Sequence, residues 1–146
     1  MKRTTITLTL LVFTTIAFAQ TQYFNKNGVA INGYDPVAFF AENMAVQGTD
    51  QYKHEWNGTT WQFKNAANRD TFKSNPEKYA PQFGGYCAYG MSENHKTPTE
   101  PQAFTIVDDK LYLNYNMDVL KMWRKDTKGR IAKAETNWTS LKDKKD

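Results

Sequence analysis

Three side chains with metal-ligating chemistry follow one another at a spacing of four residues: Cys87, Met91 and His95. Residues four apart on one helix share a face. Thiolate, thioether and imidazole groups are good ligands for soft or borderline metals such as Cu(I) and Zn(II). The spacing therefore predicts a copper or zinc site if one helix carries all three. The alternative is a buried structural cysteine beside a core methionine, since both residue types are often buried.

His54 is the second residue that could do chemistry. It stands in an aromatic-rich segment, so one interpretation is a core histidine satisfied by a hydrogen bond. The other is a metal ligand or acid-base group that faces a pocket also holding Cys87. A neighbouring imidazolium would lower the pKa of that thiol, which leaves nucleophilic or redox chemistry open as a further hypothesis.

No known catalytic motif accompanies these residues. The sequence contains no zinc CxxC pair, P-loop, GxGxxG or HExxH motif, and its carboxylates are scattered. Cys87 is the only cysteine of the chain, so neither an intramolecular disulfide nor a resolving cysteine is possible. We therefore predict that the protein is not an enzyme.

Two hairpins must position these groups. Asn57-Gly58 between aromatic-rich runs is a strong signal for a type I′ hairpin of residues 51–56 and 59–64. A second hairpin is predicted for residues 104–107 and 111–114. The two-residue loop of the first hairpin fixes three cross-strand pairs, which place the aromatic residues and His54 on one face: Trp56–Thr59, His54–Trp61 and Tyr52–Phe63.

Short helices occupy much of the remaining chain. The helix that carries Cys87 is predicted over residues 86–94, and Gly129 is predicted to interrupt the C-terminal helical region. Strands and helices in mixed order, with antiparallel hairpins packed against short helices, predict a small single domain of the α+β class. Four residues suit the N-cap position of a helix: Asp35, Asn65, Asn75 and Asn116.

The first nineteen residues have the features of a secretory signal peptide. Lys2 and Arg3 precede an uncharged apolar run, and Ala17-Phe18-Ala19 matches a small-residue cleavage site. The run is too short for a membrane anchor. We therefore predict a bacterial exported protein, periplasmic or secreted, that is cleaved after Ala19 and has no membrane-spanning segment thereafter. The further boundaries are a lead-in over residues 20–27, a domain over 28–141 and a charged tail over 142–146.

Basic residues are concentrated near the C-terminus. Residues 121–146 hold nine Lys and Arg against four Asp and Glu, a distribution that can indicate nucleic-acid binding. We interpret these residues as the solvated faces of C-terminal helices, and export also disfavours a nucleic-acid partner. The predicted partners are instead a metal ion or another protein of the cell envelope, and the sequence leaves the oligomeric state open.

Several motifs follow one another in order along residues 28–140. They are Gly33-Tyr34-Asp35-Pro36-Val37-Ala38-Phe39-Phe40, Trp56-Asn57-Gly58 with Trp61-Gln62-Phe63, Asn75-Pro76-Glu77-Lys78-Tyr79-Ala80-Pro81-Gln82, and Gly84-Gly85-Tyr86-Cys87-Ala88. In this order they resemble the YHS domain family, and more narrowly its exported bacterial branch. YHS domains occur in or beside heavy-metal transport proteins and some oxygenase components, so the resemblance implies a metal-related role.

The resemblance carries over only part of a metal site. Family members with the metal-binding pattern have a cysteine in the Asp-Pro-Val segment, where this chain has Ala38, and the second region retains Cys87. The leading hypothesis is an exported protein that binds a soft metal such as copper for handling or sensing. The alternatives are a non-catalytic interaction module with a buried structural cysteine and an aromatic groove, and a thiol-dependent redox protein. The co-ligands of Cys87, chosen by softness, would be among His54, Met44, Met91 and His95.

Overall fold

The computed structural model of the protein describes residues 23–145 and contains helices and two small sheets, which confirms the predicted α+β class. The predicted signal peptide and its cleavage site lie outside these residues. The strands are β1 (Asn25–Lys26), β2 (Val29–Ala30), β3 (Thr49–Trp56), β4 (Thr59–Phe63), β5 (Glu100–Val107) and β6 (Lys110–Asn114). The helices are α1 (Pro36–Ala41), α2 (Ala66–Ser74), α3 (Pro76–Tyr79), α4 (Ala88–Ser92), α5 (Met117–Arg124) and α6 (Thr127–Leu141).

Side-chain oxygens cap the start of five of the described helices, namely α1, α2, α3, α5 and α6. In each case a carboxylate or amide oxygen accepts hydrogen bonds from backbone amides that have no partner inside the helix. Asn116, for example, accepts from the amides of Asp118 and Val119 at the start of α5. All four predicted caps are confirmed: Asp35, Asn65, Asn75 and Asn116.

The first sheet has the strand order β1-β2-β4-β3. Its β3–β4 hairpin turns at Asn57 and Gly58, whose φ angles of 48° and 70° suit a type I′ turn. β1 lies inside the segment 20–27 predicted as a lead-in, so part of that segment belongs to the sheet. Two predicted pairs of the hairpin are confirmed: Trp56–Thr59 and His54–Trp61.

The third predicted pair, Tyr52 with Phe63, is wrong. The register shifts between Thr49 and Lys53, and Thr49 lies opposite Phe63 instead. A bulge adds unpaired residues to one strand and bends it. The turn sequence fixes the register near the loop, whereas the bulge resets it further along β3.

The β5–β6 hairpin divides the interior into two hydrophobic cores. Leu111 and Leu113 of β6 face the first core, whereas Tyr112 between them faces the second. The first core packs against the four-stranded sheet and contains Ala30, Ile31, Val37, Phe39, Trp61, Phe63, Phe72, Ala80, Leu111 and Leu113. The second core packs against α4, α5 and α6 and contains Phe83, Tyr86, Ala88, Met91, Ala103, Tyr112, Leu120, Trp123, Ala134 and Leu141.

The helix predicted for residues 86–94 is shorter in the structure. α4 covers Ala88–Ser92, with Cys87 at its N-cap in a non-helical conformation. Asn94 has a φ of 66°, in the left-handed region that often follows a helix end. The prediction overran both ends because residue spacing shows the period of a helix and not its boundaries.

Gly129 does not interrupt a helix, contrary to the prediction. The break lies at Lys125 and Asp126, and Gly129 stands in the first turn of α6. Its amide donates to the Asp126 carboxylate at 3.1 Å. A Cβ at Gly129 would lie 2.4 Å from Asp126 Oδ2, so the glycine lets the cap approach closely.

The described helices are short relative to the thickness of a bilayer. Within residues 23–145, none is both long and apolar enough to cross a membrane. The longest of them, α6, has 15 residues, whereas a spanning helix needs about 20 mostly apolar ones.

Candidate functional site

Cys87 lies at the start of α4 with its sulfur inside the protein. The residue is 1% exposed. Its Sγ accepts hydrogen bonds from the amides of Gly90 at 3.4 Å and Tyr115 at 3.3 Å. The thiol lies 3.6 Å from Asn114 Oδ1, towards which it can donate its proton. The thiol therefore joins α4 to the end of β6.

The surroundings of Cys87 favour the neutral thiol. Burial raises its pKa, and the hydrogen bonds from the amides of Gly90 and Tyr115 offset only part of that effect. The thiolate is the form that attacks substrates and binds metals. Cys87 thus has the environment of a structural cysteine.

The other predicted ligands occupy different surroundings. Met91 is fully buried in the second core. His95 follows the end of α4 and is exposed, so it does not continue the helical face of Cys87 and Met91. His54 lies on β3, where its ring packs edge-on against Phe72 of the first core with centroids 6.3 Å apart. Met44 is 58% exposed, in the loop between α1 and β3.

Within the described residues, His, Asp and Glu side chains do not cluster around Cys87. In the part of the chain that the structure describes, no group of three or more His, Cys, Asp or Glu side chains could hold a metal ion. A structural or catalytic zinc site needs three or four converging ligands. The sulfur of Cys87 is moreover already hydrogen-bonded. The predicted copper or zinc site of Cys87, His54, Met91 and His95 stays a prediction.

A cavity of 260 Å³ opens where the two cores meet, and we name it the aromatic cavity. Tyr23 and Trp56 come from the side of the first core, with ring centroids 5.4 Å apart. Phe83 and Trp138 come from the side of the second core, with centroids 6.3 Å apart. Tyr23, Trp56 and Trp138 are half-buried, as expected of rings that line an opening. The remaining lining residues are Asn57, Glu77, Ala80, Pro81, Gln82 and Gly84.

A strained turn holds one wall of the aromatic cavity. Phe83, in the 3₁₀ turn Gln82–Gly85, has a φ of 53°, which is unfavourable for a bulky side chain. Gly84 and Gly85 follow with φ of 61° and 77°. Hydrogen bonds from the Phe24 amide to Gly84 O at 2.7 Å and from Thr99 Oγ1 to Gly85 O at 2.8 Å hold the turn. Such strain persists where the surroundings fix the backbone, and it is frequent at binding sites.

Glu77 gives the aromatic cavity a negative rim. Among its lining residues in the described chain, Glu77 is the one with a charged side chain. The pKa of Tyr23 is raised to about 12, first by burial and second by the negative charge of Glu77. The cavity thus combines aromatic walls with a carboxylate, next to a tyrosine that stays neutral.

Two other openings have different linings. A groove of 490 Å³ is larger but contains two rings, Phe40 and Tyr79, and Lys78 and Asp109 contribute opposite charges to it. A third opening of 260 Å³ contains one ring, Phe104, and is lined by Arg124, whose guanidinium is already bonded to β5. Of these three openings the aromatic cavity has the most aromatic rings, four, and we take it as the candidate site for a small ligand.

Sequence reasoning missed most of this site. Tyr23 stands in the predicted lead-in, and Trp138 fits a helical apolar spacing that indicates only packing. Gly84-Gly85 after Phe83 was the available signal, because paired glycines next to an aromatic residue permit a turn with positive φ. Nothing in the sequence shows that segments so far apart meet at one opening.

Comparisons of the chain with protein-family models, with curated proteins and with solved structures gave no match. The resemblance to the YHS domain family thus stays a prediction that depends on the motif residues. Assignment of the site depends on geometry and chemistry alone.

The raised pKa of Tyr23 predicts a loss of stability at high pH. Its folded pKa of about 12 exceeds its ordinary value of 10, so the contribution is complete below pH 10 and is lost between about pH 10 and 12. Tyr23 is only half-buried, so solvent screens part of this effect and the expected loss is about 1–2 kcal/mol. Urea unfolding of wild type, Glu77→Gln and Tyr23→Phe across this range should show the largest alkaline loss in wild type and the smallest in Tyr23→Phe. Equal losses in wild type and Tyr23→Phe would contradict the assignment.

Proposed function

We propose that this chain is a non-catalytic binding module that holds a small ligand in the aromatic cavity and uses Cys87 for structure. The observation that carries the proposal is the cavity itself. Aromatic rings from four separate segments line one opening, three of them half-buried, and a strained but well-bonded turn fixes one of its walls. Aromatic rings combined with polar groups at defined places are the components from which small-molecule sites are built.

The environment of Cys87 supports the structural role. A buried thiol with a raised pKa is protonated at neutral pH, and its sulfur is engaged by two backbone amides. This state disfavours the thiol-dependent redox hypothesis, because reactive cysteines are accessible and have lowered pKa values. It also makes Cys87 a poor starting point for a copper site.

Export remains part of the proposal. We infer it from the basic start, the apolar run and the A-x-A site of residues 1–19. An exported binding module would meet small molecules or other proteins of the cell envelope. The soft-metal hypothesis competes with this proposal and is tested in the same experiment.

The experiment compares wild type, Cys87→Ser and Trp138→Leu. Tryptophan emission reports occupancy, because Trp56 and Trp138 line the aromatic cavity. A panel of small organic cations, sugars and carboxylic acids is screened by this emission, and Cu(I) and Zn(II) are titrated anaerobically against a competing chelator. We expect a saturable response to a panel compound that survives Cys87→Ser and weakens at least about tenfold in Trp138→Leu.

Thiol reactivity supplies the second measurement. Native Cys87 should react with a thiol reagent at a rate lower by a factor on the order of 100 or more than in denaturant, because the reagent must wait for local opening. Stoichiometric metal binding that Cys87→Ser abolishes would replace our proposal with the soft-metal hypothesis. If no compound of the panel gives a saturable response, the proposal that the chain is a binding module is contradicted.

A further inference from the structure

We propose that the ligand of the aromatic cavity is a small organic cation of the quaternary ammonium class. This inference rests on the proposed binding function and specifies its ligand. Aromatic rings carry negative faces, so several rings around one opening attract a cation, above all when little water remains between them. Tyr23, Trp56 and Trp138 leave part of their surface uncovered at the cavity.

The charge of the residues that line the cavity favours a cationic ligand. Glu77 is exposed at the rim, and none of the cavity residues named above is a lysine or arginine. An anion would meet both the carboxylate and the negative ring faces without a compensating cation. Glu77 lines the same cavity as Tyr23, and its charge contributes to the raised pKa of that tyrosine.

Hydrogen-bonding capacity distinguishes a quaternary from a primary ammonium. A primary ammonium carries three donors that need acceptors when it is buried. Asn57, Gln82 and Glu77 can each offer a side-chain oxygen, and Tyr23 a hydroxyl. The rings of Trp56, Phe83 and Trp138 offer no strong acceptor, and Gly84 O is already occupied by the Phe24 amide. A methylated ammonium has no such donors, so aromatic walls suit it better.

Size limits the ligand to a small molecule. The cavity measures 260 Å³, just below the range of about 300–1,000 Å³ that holds drug-sized ligands. A trimethylammonium group with a short tail is compatible with this volume. Its tail can extend past Asn57 or Glu77 towards solvent.

The probe is choline, and its control is the neutral tert-butyl isostere in which carbon replaces the ammonium nitrogen. Both are titrated into wild type, Glu77→Gln and Glu100→Gln, with tryptophan emission and calorimetry as readouts. Glu100 is exposed on β5 and does not line the cavity, so Glu100→Gln is the matched control. Trp138→Leu is a second cavity variant. If Trp138→Leu fails to fold, Glu77→Gln still tests the inference, because it alters an exposed side chain.

We expect choline to saturate wild type and to bind at least about tenfold more tightly than its isostere. Glu77→Gln should weaken the binding of choline by roughly three- to tenfold and leave the binding of the isostere unchanged. Glu100→Gln should change neither affinity. Three results would each overturn the inference. They are equal affinities for choline and its isostere, no saturable binding of choline, and an affinity for choline that Glu77→Gln leaves unchanged. If another compound of the panel still binds in the cavity, the proposed function stands and only the ligand class is wrong.

Discussion

Asp35→Ala is expected to lower the free energy of unfolding by about 4 kcal/mol. The Asp35 carboxylate is fully buried and accepts four hydrogen bonds. Two come from amides at the start of α1, and the others from the Lys64 amide at 2.9 Å and Asn68 Nδ2 at 2.7 Å. Alanine would leave buried donors without acceptors, and each such group costs about 1–3 kcal/mol.

Asp126→Ala is the matched control for this prediction. Asp126 also caps a helix, but it is exposed and accepts from the Gly129 amide at 3.1 Å. Its loss should cost about 1 kcal/mol, as is typical of an exposed cap. Urea unfolding with unchanged slopes measures both differences. Equal losses in the two variants would show that the buried network of Asp35 contributes no more than a simple cap.

Phe72→Ala should destabilise the protein by a similar amount, about 4 kcal/mol. Phe72 is fully buried at the centre of the first core. Its ring lies 4.9 Å from that of Trp61 and 5.7 Å from that of Trp56. Truncation would remove this packing and leave a cavity that the surrounding rings can fill only in part.

Phe40→Ala provides the comparison for Phe72, because the same side chain is removed from a partly exposed site. Phe40 packs edge-on against Tyr79 at the margin of the first core. We expect a loss of about 1–2 kcal/mol, in proportion to its smaller apolar burial. Thermal or urea unfolding of both variants measures the difference. A loss in Phe40→Ala that matches Phe72→Ala would contradict the central role of Phe72.

Local chemistry made much of the fold predictable. Asn57-Gly58 tolerates two consecutive positive φ angles, so it fixed the turn and the nearby pairs of the first hairpin. Asp35 and Asn116 are short polar residues ahead of helical segments, and both cap as expected. In each case the deciding interaction joins residues that are close in the chain.

Long-range packing decided the rest. The bulge before Lys53 shifts Phe63 opposite Thr49, and no local signal marks that shift. Spacing allowed Cys87, Met91 and His95 to share a face if one helix carried all three, but α4 starts after Cys87 and ends before His95. The aromatic cavity brings Tyr23 beside Trp138, and such a junction is determined by tertiary structure alone.

The hairpin between the two cores has a consequence for cooperativity. Each core uses the same strand, β6, as a wall, with Leu111 and Leu113 on one side and Tyr112 on the other. Detachment of this strand would expose both cores to water at once, so neither half forms a separate folding unit. The domain should therefore gain and lose its structure in a single step. Hydrogen exchange of the β6 backbone amides should then report the free energy of global unfolding.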